Sequence, residues 1–390
     1  MRFAVTGLQR HGVKDSGGIS FPLPSSGSVG KVGSVSTNFL SESPLSPLVR
    51  NALGDAIEQG WQDPRKLSQH SGRARILHNS AIELIASQLE VQPSEVEVLG
   101  EPALATFYAL GGLLRPADTL LHCAVDRKEI FAIARNHGKV HQLSVNLMGK
   151  IVPESLPDHA ETVFLLQGGN GETGVLQDVE ELISKLPLAR ISCDFFSSGP
   201  RLALPSRWAT AIYDAKSWQG PQGISLLLIR EGAAWRNPLP HLNNLRTPQS
   251  TSLPLLIASA VALEEWSRIE IDEGLRLRKL SQLLRERIHS TIEDCDIAGD
   301  LNDSLPHITS LSFLYVQGEE LLRKLDTAGF SVDSGSACTA DDLEPSHVLA
   351  AMGVLTHGNI RITLHHGAKD EEVFALVAAI REAVQELRSS

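Results

Sequence analysis

Between residues 76 and 230, short apolar runs alternate with stretches whose apolar residues recur every three or four positions, and this alternation leaves few architectures open. ILHNSAIELIASQL (76–89), EIFAIARNHG (129–138) and VLQDVEELISKL (175–186) carry helical spacing. VEVL (96–99), TLLHCAV (119–125), KVHQLSV, TVFLLQ (162–167), ARISCDF (189–195), ATAIYDA and ISLLLIR (224–230) have the length of strands. Apolar strands separated by amphipathic helices build βαβ units, because a parallel connection must cross the sheet and the helix covers its face. The fold class is therefore α/β with a mainly parallel sheet, and ligands of such sheets sit beyond the carboxyl ends of the strands.

From residue 253 the texture changes. LPLLIASAVALEEWSRI and EGLRLRKLSQLLRERIHSTI predict two long helices. The strand ITSLSFLYV, the helix EELLRKLDTAG, the strand FSVDS, the helix SHVLAAMG, the strand NIRITLH and the helix EEVFALVAAIREAVQEL follow, which makes a smaller α+β unit. Residues 11–47 are rich in Gly, Ser and Pro and read as a loose arm, either a disordered tail or an extension packed on a partner subunit. The expected organisation is an N-terminal arm at 1–35, a large α/β domain at 36–252 and a small α+β domain at 253–390. The basic run RLRKLSQLLRER (276–287) predicts a solvated helix face with its leucines turned inward.

Composition excludes several functions. A formal net charge of −11 over 390 residues argues against a nucleic-acid partner. No apolar run nears the roughly 20 residues needed to span a bilayer, and the N-terminus has no long apolar signal core, so neither a membrane nor a secretory route is expected. The four cysteines, Cys123, Cys193, Cys295 and Cys338, are scattered without CxxC spacing, which speaks against a zinc site or disulfide framework and for a reducing, cytoplasmic setting. His365 and His366 are adjacent on a strand and point to opposite faces, so they form no ready metal pair. His347, on the helix after the Cys338 stretch, is placed to cap or orient that stretch.

Cys338 stands in a Gly/Ser-rich stretch between a strand and a helix, where a thiol is accessible. A lone Cys reads first as a small buried hydrophobe. Its company changes that reading: SGSACT, LEPSHVLAAMG and Arg361 in NIRITLH resemble the C-terminal signature of the cysteine desulfurases, fold-type I pyridoxal-phosphate enzymes of the class V aminotransferase superfamily, in an actinobacterial-type wording. In that family the loop cysteine takes sulfur from substrate L-cysteine as a persulfide and passes it to an acceptor or scaffold protein for iron–sulfur cluster or thio-cofactor synthesis. By this resemblance the active site lies between the two domains of a homodimer. Arg361 falls on the arginine that forks onto the substrate carboxylate. QGGNGETG (167–174) resembles the family's QxxNxExG segment, which gives Asn170 a hydrogen bond to the cofactor's phenolic oxygen, with Gln177 following. Asp194, at the end of ARISCD, falls on the aspartate that keeps the pyridine nitrogen protonated; from the residue alone it reads equally as a strand-end turn or cap. GWQDPRKLSQHSGRAR (60–75) resembles the early loop and helix, with a Gly-Arg pair opening the helix.

Four places depart from the family. Its cofactor lysine lies in Ser-x-His-Lys before Gly-Pro, whereas this chain reads Asp214-Ala215-Lys216-Ser217-Trp218-Gln219-Gly220-Pro221. Ser217 takes the lysine position, and Lys216 serves only after a one-residue shift. Asp214 replaces a phosphate-holding serine and puts a carboxylate beside an anion. Gly100-Glu101-Pro102-Ala103 replaces the phosphate-binding turn, with an acid and a residue lacking an N–H. Arg127 replaces the ring-stacking histidine; it can stack but stays charged. Two function classes follow. One is a working L-cysteine desulfurase with Lys216 as Schiff-base lysine, Asn170, Asp194, Arg127 and Ser217 around the cofactor, and Cys338 as nucleophile. The other is a relative impaired in catalysis and deficient in pyridoxal phosphate, acting as a partner subunit or sulfur carrier.

Overall fold

The computed structural model describes residues 38–59, 62–153, 156–241, 245–248, 250–334 and 345–389. Cys338 and the arm expected at 1–35 lie outside the described residues. Residues from Ser36 onward form one compact unit with two sheets.

The first sheet gathers β2 (Val96–Leu99), β3 (Thr119–Cys123), β4 (Val140–Leu143), β5 (Thr162–Gln167), β6 (Arg190–Asp194), β7 (Thr210–Asp214) and β8 (Ser225–Ile229) in the order β2-β8-β7-β6-β5-β3-β4. The run from β4 to β7 is parallel, and β8 is antiparallel to both its neighbours. Every residue of β5, β7 and β8 is buried. This explains their unbroken apolar texture: a strand covered on both faces shows no alternation. Helices α2 (Gln69–Gln88), α3 (Pro102–Leu113), α4 (Lys128–His137) and α5 (Val179–Ser184) are interleaved with the strands. The opening of α2 differs from the expected Gly-Arg start. Ser68 caps it, its hydroxyl accepting from Ser71 N, so the helix begins three residues before Gly72.

The second sheet has the order β1-β11-β12-β10-β9, from β1 (Asn38–Phe39), β9 (Cys295–Ile297), β10 (Ile308–Phe313), β11 (Ser331–Ser334) and β12 (Ile360–Thr363). Helices α7 (Gly318–Thr327), α8 (His347–Met352) and α9 (Asp370–Ser389) accompany it. β1 falls in the stretch read as a loose arm, where it pairs in parallel with β11. That pairing joins residues almost 300 positions apart, beyond the reach of local pattern.

Two expectations are corrected. The two long helices are one, α6 (Leu253–Thr291), of 39 residues. The joint holds no proline, and Gly274 costs about 1 kcal/mol without breaking a helix. The buried stripe continues through it, with Leu263 and Trp266 in the first sheet's core and Leu277, Leu280 and Leu284 in the second's. The helix expected from residue 175 starts at Val179, because Val175 and Leu176 are drawn into bridges with Ser304 and Gly169. The basic run of α6 does turn its leucines inward. Arg278 and Arg285 reach the carbonyls of Asn302, Ser304, Leu301 and Ile308 and so fasten the loop before β10. Before α6, α1 (Pro47–Gln59) packs on it. Among the described residues no helix is long and apolar enough to cross a membrane.

Candidate functional site

A cleft of about 410 Å³ opens past the carboxyl ends of β5, β6 and β7 and is walled on the other side by β12. Arg127, Asn170, Lys216, Ser217 and Arg361 line it. Asp194, 1% exposed, lies beneath and reaches it through Arg127. Six of the seven predicted site residues therefore converge, and the seventh, Cys338, lies outside the described residues. A second cavity of about 460 Å³, beside Trp235 and Arg236, contains none of them.

The floor is held by one ion pair. Arg127 Nε donates to Asp194 Oδ2 at 2.9 Å, and Arg127 Nη2 to Thr106 Oγ1 at 2.9 Å. Its guanidinium lies over the Phe196 ring, 4.3 Å from the centroid. Burial works against the charge of Arg127, but Asp194 and Glu129 outweigh it and hold the guanidinium above its usual range. Asp194 Oδ1 accepts from Phe196 N at 2.9 Å. Both oxygens of the aspartate are thus used by the chain.

Ala215–Trp218 forms a single 3₁₀ turn after β7, capped by Asp214, whose Oδ1 accepts from Lys216 N at 3.1 Å. Ser217 turns back, its hydroxyl donating to Asp214 O at 2.7 Å. Lys216 Nζ instead donates to Glu42 Oε1 at 3.3 Å and stands 3.9 Å from Asp214 Oδ2. Asp214 is 2% exposed, and burial raises its carboxyl above the ordinary range.

Asn170 is spent inside its loop. Its Nδ2 donates to Val125 O and Gln167 Oε1, both at 3.0 Å, and its Oδ1 accepts from Glu172 N, Thr173 N and the Thr173 hydroxyl. Gln177 is structural, clasping Gly149 O and Ile151 N. Across the cleft, Arg361 Nη2 donates to Asp333 Oδ2 at 2.7 Å, and Nη1 donates to Gly171 O at 3.1 Å.

These residues do not fit pyridoxal phosphate. At the start of α3, Glu101 Oε1 accepts from Ala103 N at 3.3 Å, so a carboxylate takes one of the N–H groups a phosphate would use, and Pro102 offers none. Asp214, in the position of the family's phosphate-holding serine, is a second carboxylate. Asp194 already holds a cation, and both N–H groups of Asn170 are bound elsewhere.

Sequence reading missed Glu42, Glu172 and Asp333. Glu172 is 8% exposed; burial drives its carboxyl up to about 7, against the Ser346 hydroxyl and Arg361. Ser346 Oγ donates to Glu172 Oε1 at 2.5 Å and accepts from Leu349 N at 3.2 Å, capping α8. His347 fastens the same turn, with Nε2 2.8 Å from Asp126 O. His366 faces Glu273 at 3.2 Å. Among the described residues no group of three or more His, Cys, Asp or Glu can hold a metal.

The architecture is that of the fold-type I enzymes. The family profile described as Aminotransferase class-V matches residues 114–376, and the chain belongs to that family, within its cysteine desulfurase group. It is 29% identical over 265 residues to a cysteine desulfurase of Nostoc sp., a match covering 64% of this chain and 66% of that protein, just under two thirds of its length. It is 27% identical over 357 residues to the cysteine desulfurase NifS of Azotobacter vinelandii, covering 87% of this chain and 84% of the relative. Among solved structures, a NifS-like protein superposes with a TM-score of 0.81 at 21% identity, covering 90% of this chain and 99% of the other. An apo cysteine desulfurase from Thermococcus onnurineus gives 0.75 at 17% identity, covering 90% and 94%. The family is pyridoxal-phosphate-dependent.

Proposed function

We propose that this chain is a cysteine desulfurase-like protein that works without bound pyridoxal phosphate and serves sulfur transfer as a partner subunit or as a carrier through Cys338. The observation that carries this reading is the Arg127–Asp194 pair: the carboxylate that would hold a pyridinium is neutralised from within. Glu101, Asp214 and the spent amide of Asn170 support it. The acceptor would be a protein that takes persulfide sulfur. A homodimer, a cytoplasmic setting, and the division into domains at 36–252 and 253–390 belong to the same proposal.

The test is the visible absorbance of the protein with added pyridoxal phosphate, before and after borohydride, with peptide mapping. A colourless protein without adduct is expected. A yellow protein labelled at Lys216 sinks the reading. It would favour the second one, a working L-cysteine desulfurase, which one observation supports: both residues line the cleft, but Lys216 Nζ reaches Glu42 across it while the Ser217 hydroxyl turns back to Asp214 O.

A further inference from the structure

The segment between β1 and α1 runs along the cleft, and its hydrogen bonds reach Lys216 directly and the Asp333 carboxylate that holds Arg361. Phe39, 1% exposed, stacks on Phe330 at 6.4 Å and anchors one end. At the other end Ser46 Oγ donates to Glu265 Oε2 at 2.5 Å and accepts from Val49 N at 3.2 Å. Between the anchors, Ser41 N donates to Asp333 Oδ2 at 2.7 Å, the same oxygen that receives Arg361 Nη2. Glu42 Oε1 accepts from Lys216 Nζ, and its Oε2 accepts from Ser41 Oγ at 3.0 Å. Asn38 Nδ2 donates to the Glu42 carbonyl at 3.1 Å and fixes the turn that presents the carboxylate. Ser41 and Ser43 line the cleft.

We infer that residues 40–43 are a built-in occupant of the cleft, in which Glu42 fills, as an internal carboxylate, the place at Lys216 that a small external carbonyl or carboxylate compound would take. The inference rests on the cofactor-free reading and supplies its physical cause at the lysine. An ammonium bound in an ion pair has no lone pair to offer a carbonyl carbon. Burial opposes the charge on Glu42, yet Lys216 and the Ser41 hydroxyl hold its carboxyl below the ordinary range, so the strap presents an anion across neutral pH. The contact is also displaceable. The Lys216 and Glu42 side chains are 31% and 41% exposed, and ion pairs open to water hold weakly. Lys216 is therefore a masked amine, and the strap decides its availability.

The experiment uses the full chain with glyoxylate, a small aldehyde bearing a carboxylate, followed by borohydride and peptide mapping. Glu42→Gln and Glu42→Ala are each expected to raise labelling of Lys216 about two- to fivefold over the unaltered protein at the same pH. Labelling of Lys139 and Lys185, remote from the strap, should not change. Folded variants in which Lys216 labels no faster than in the unaltered protein overturn the inference and leave the cofactor-free reading standing. Capture of pyridoxal phosphate by the unaltered protein at Lys216 overturns both.

Discussion

Arg127 and Asp194, 67 positions apart, meet as a charge pair at 2.9 Å, with only 14% of one side chain and 1% of the other exposed. The strand end that carries Asp194 and the turn that carries Arg127 flank the end of β5, which pairs with both β3 and β6, and the Arg127 side chain spans the gap. The pair closes the floor of the cleft from within the chain.

Removing one partner of this pair leaves a buried charge without compensation. Arg127→Ala should cost about 3–5 kcal/mol of stability, read as a lowered denaturation midpoint. A loss under about 1 kcal/mol would show that water reaches Asp194 and that the pair does not hold the floor together.

Glu172 makes stability depend on pH in a direction opposite to most carboxylates. Its folded value, about 7, lies above the unfolded 4.5, so the folded state binds the proton more tightly. The contribution is full below pH 4.5 and is lost as pH rises through 7, by up to about 3 kcal/mol. Glu172→Gln should flatten the curve of stability against pH between those values. An unchanged slope in the variant means that another group titrates there.

Ser346 both caps α8 and donates to Glu172. Ser346→Ala should lower stability by about 1–2 kcal/mol and, by removing a bond to the carboxylate, push the Glu172 titration higher still. A titration that moves down in the variant contradicts the assigned hydrogen bond.

Gly199 has φ of +58°, and a Cβ there would run into the Ser217 side chain. Gly199→Ala should therefore destabilise by about 1–3 kcal/mol and shift the turn that carries Lys216, visible as altered borohydride labelling at that lysine. A neutral substitution would show that the turn moves freely.

Cys338→Ala should abolish persulfide carried on the protein, measured by mass spectrometry after incubation with a persulfide donor. A variant that still carries sulfur places the carrier on another cysteine. Cys123 and Cys193 are poor candidates, since both are buried and burial holds their thiols well above the ordinary range.

The alternation of short apolar runs and amphipathic helices gave the α/β class, because strand burial and helix amphipathicity are written in local residue spacing. TVFLLQ and VEVL coincide with β5 and β2, residue for residue. Helix ends and joints were less legible. The unity of α6 depends on two cores that accept one continuous stripe, and the late start of α5 depends on bridges to residues far along the chain.

The candidate site divides in the same way. Its residue types at Arg127, Asn170, Asp194, Lys216, Ser217 and Arg361 could be read from motifs, and so could the departures at Asp214 and Glu101. Their partners could not. Asp333 lies beside Arg361 through cross-strand register, and Glu42 reaches Lys216 only because β1 joins β11. Local spacing specifies which residues a chain offers, but whether a carboxylate finds a ligand or a cation of its own chain depends on contacts between segments 28 to 174 residues apart, and those exist only once the sheets have formed.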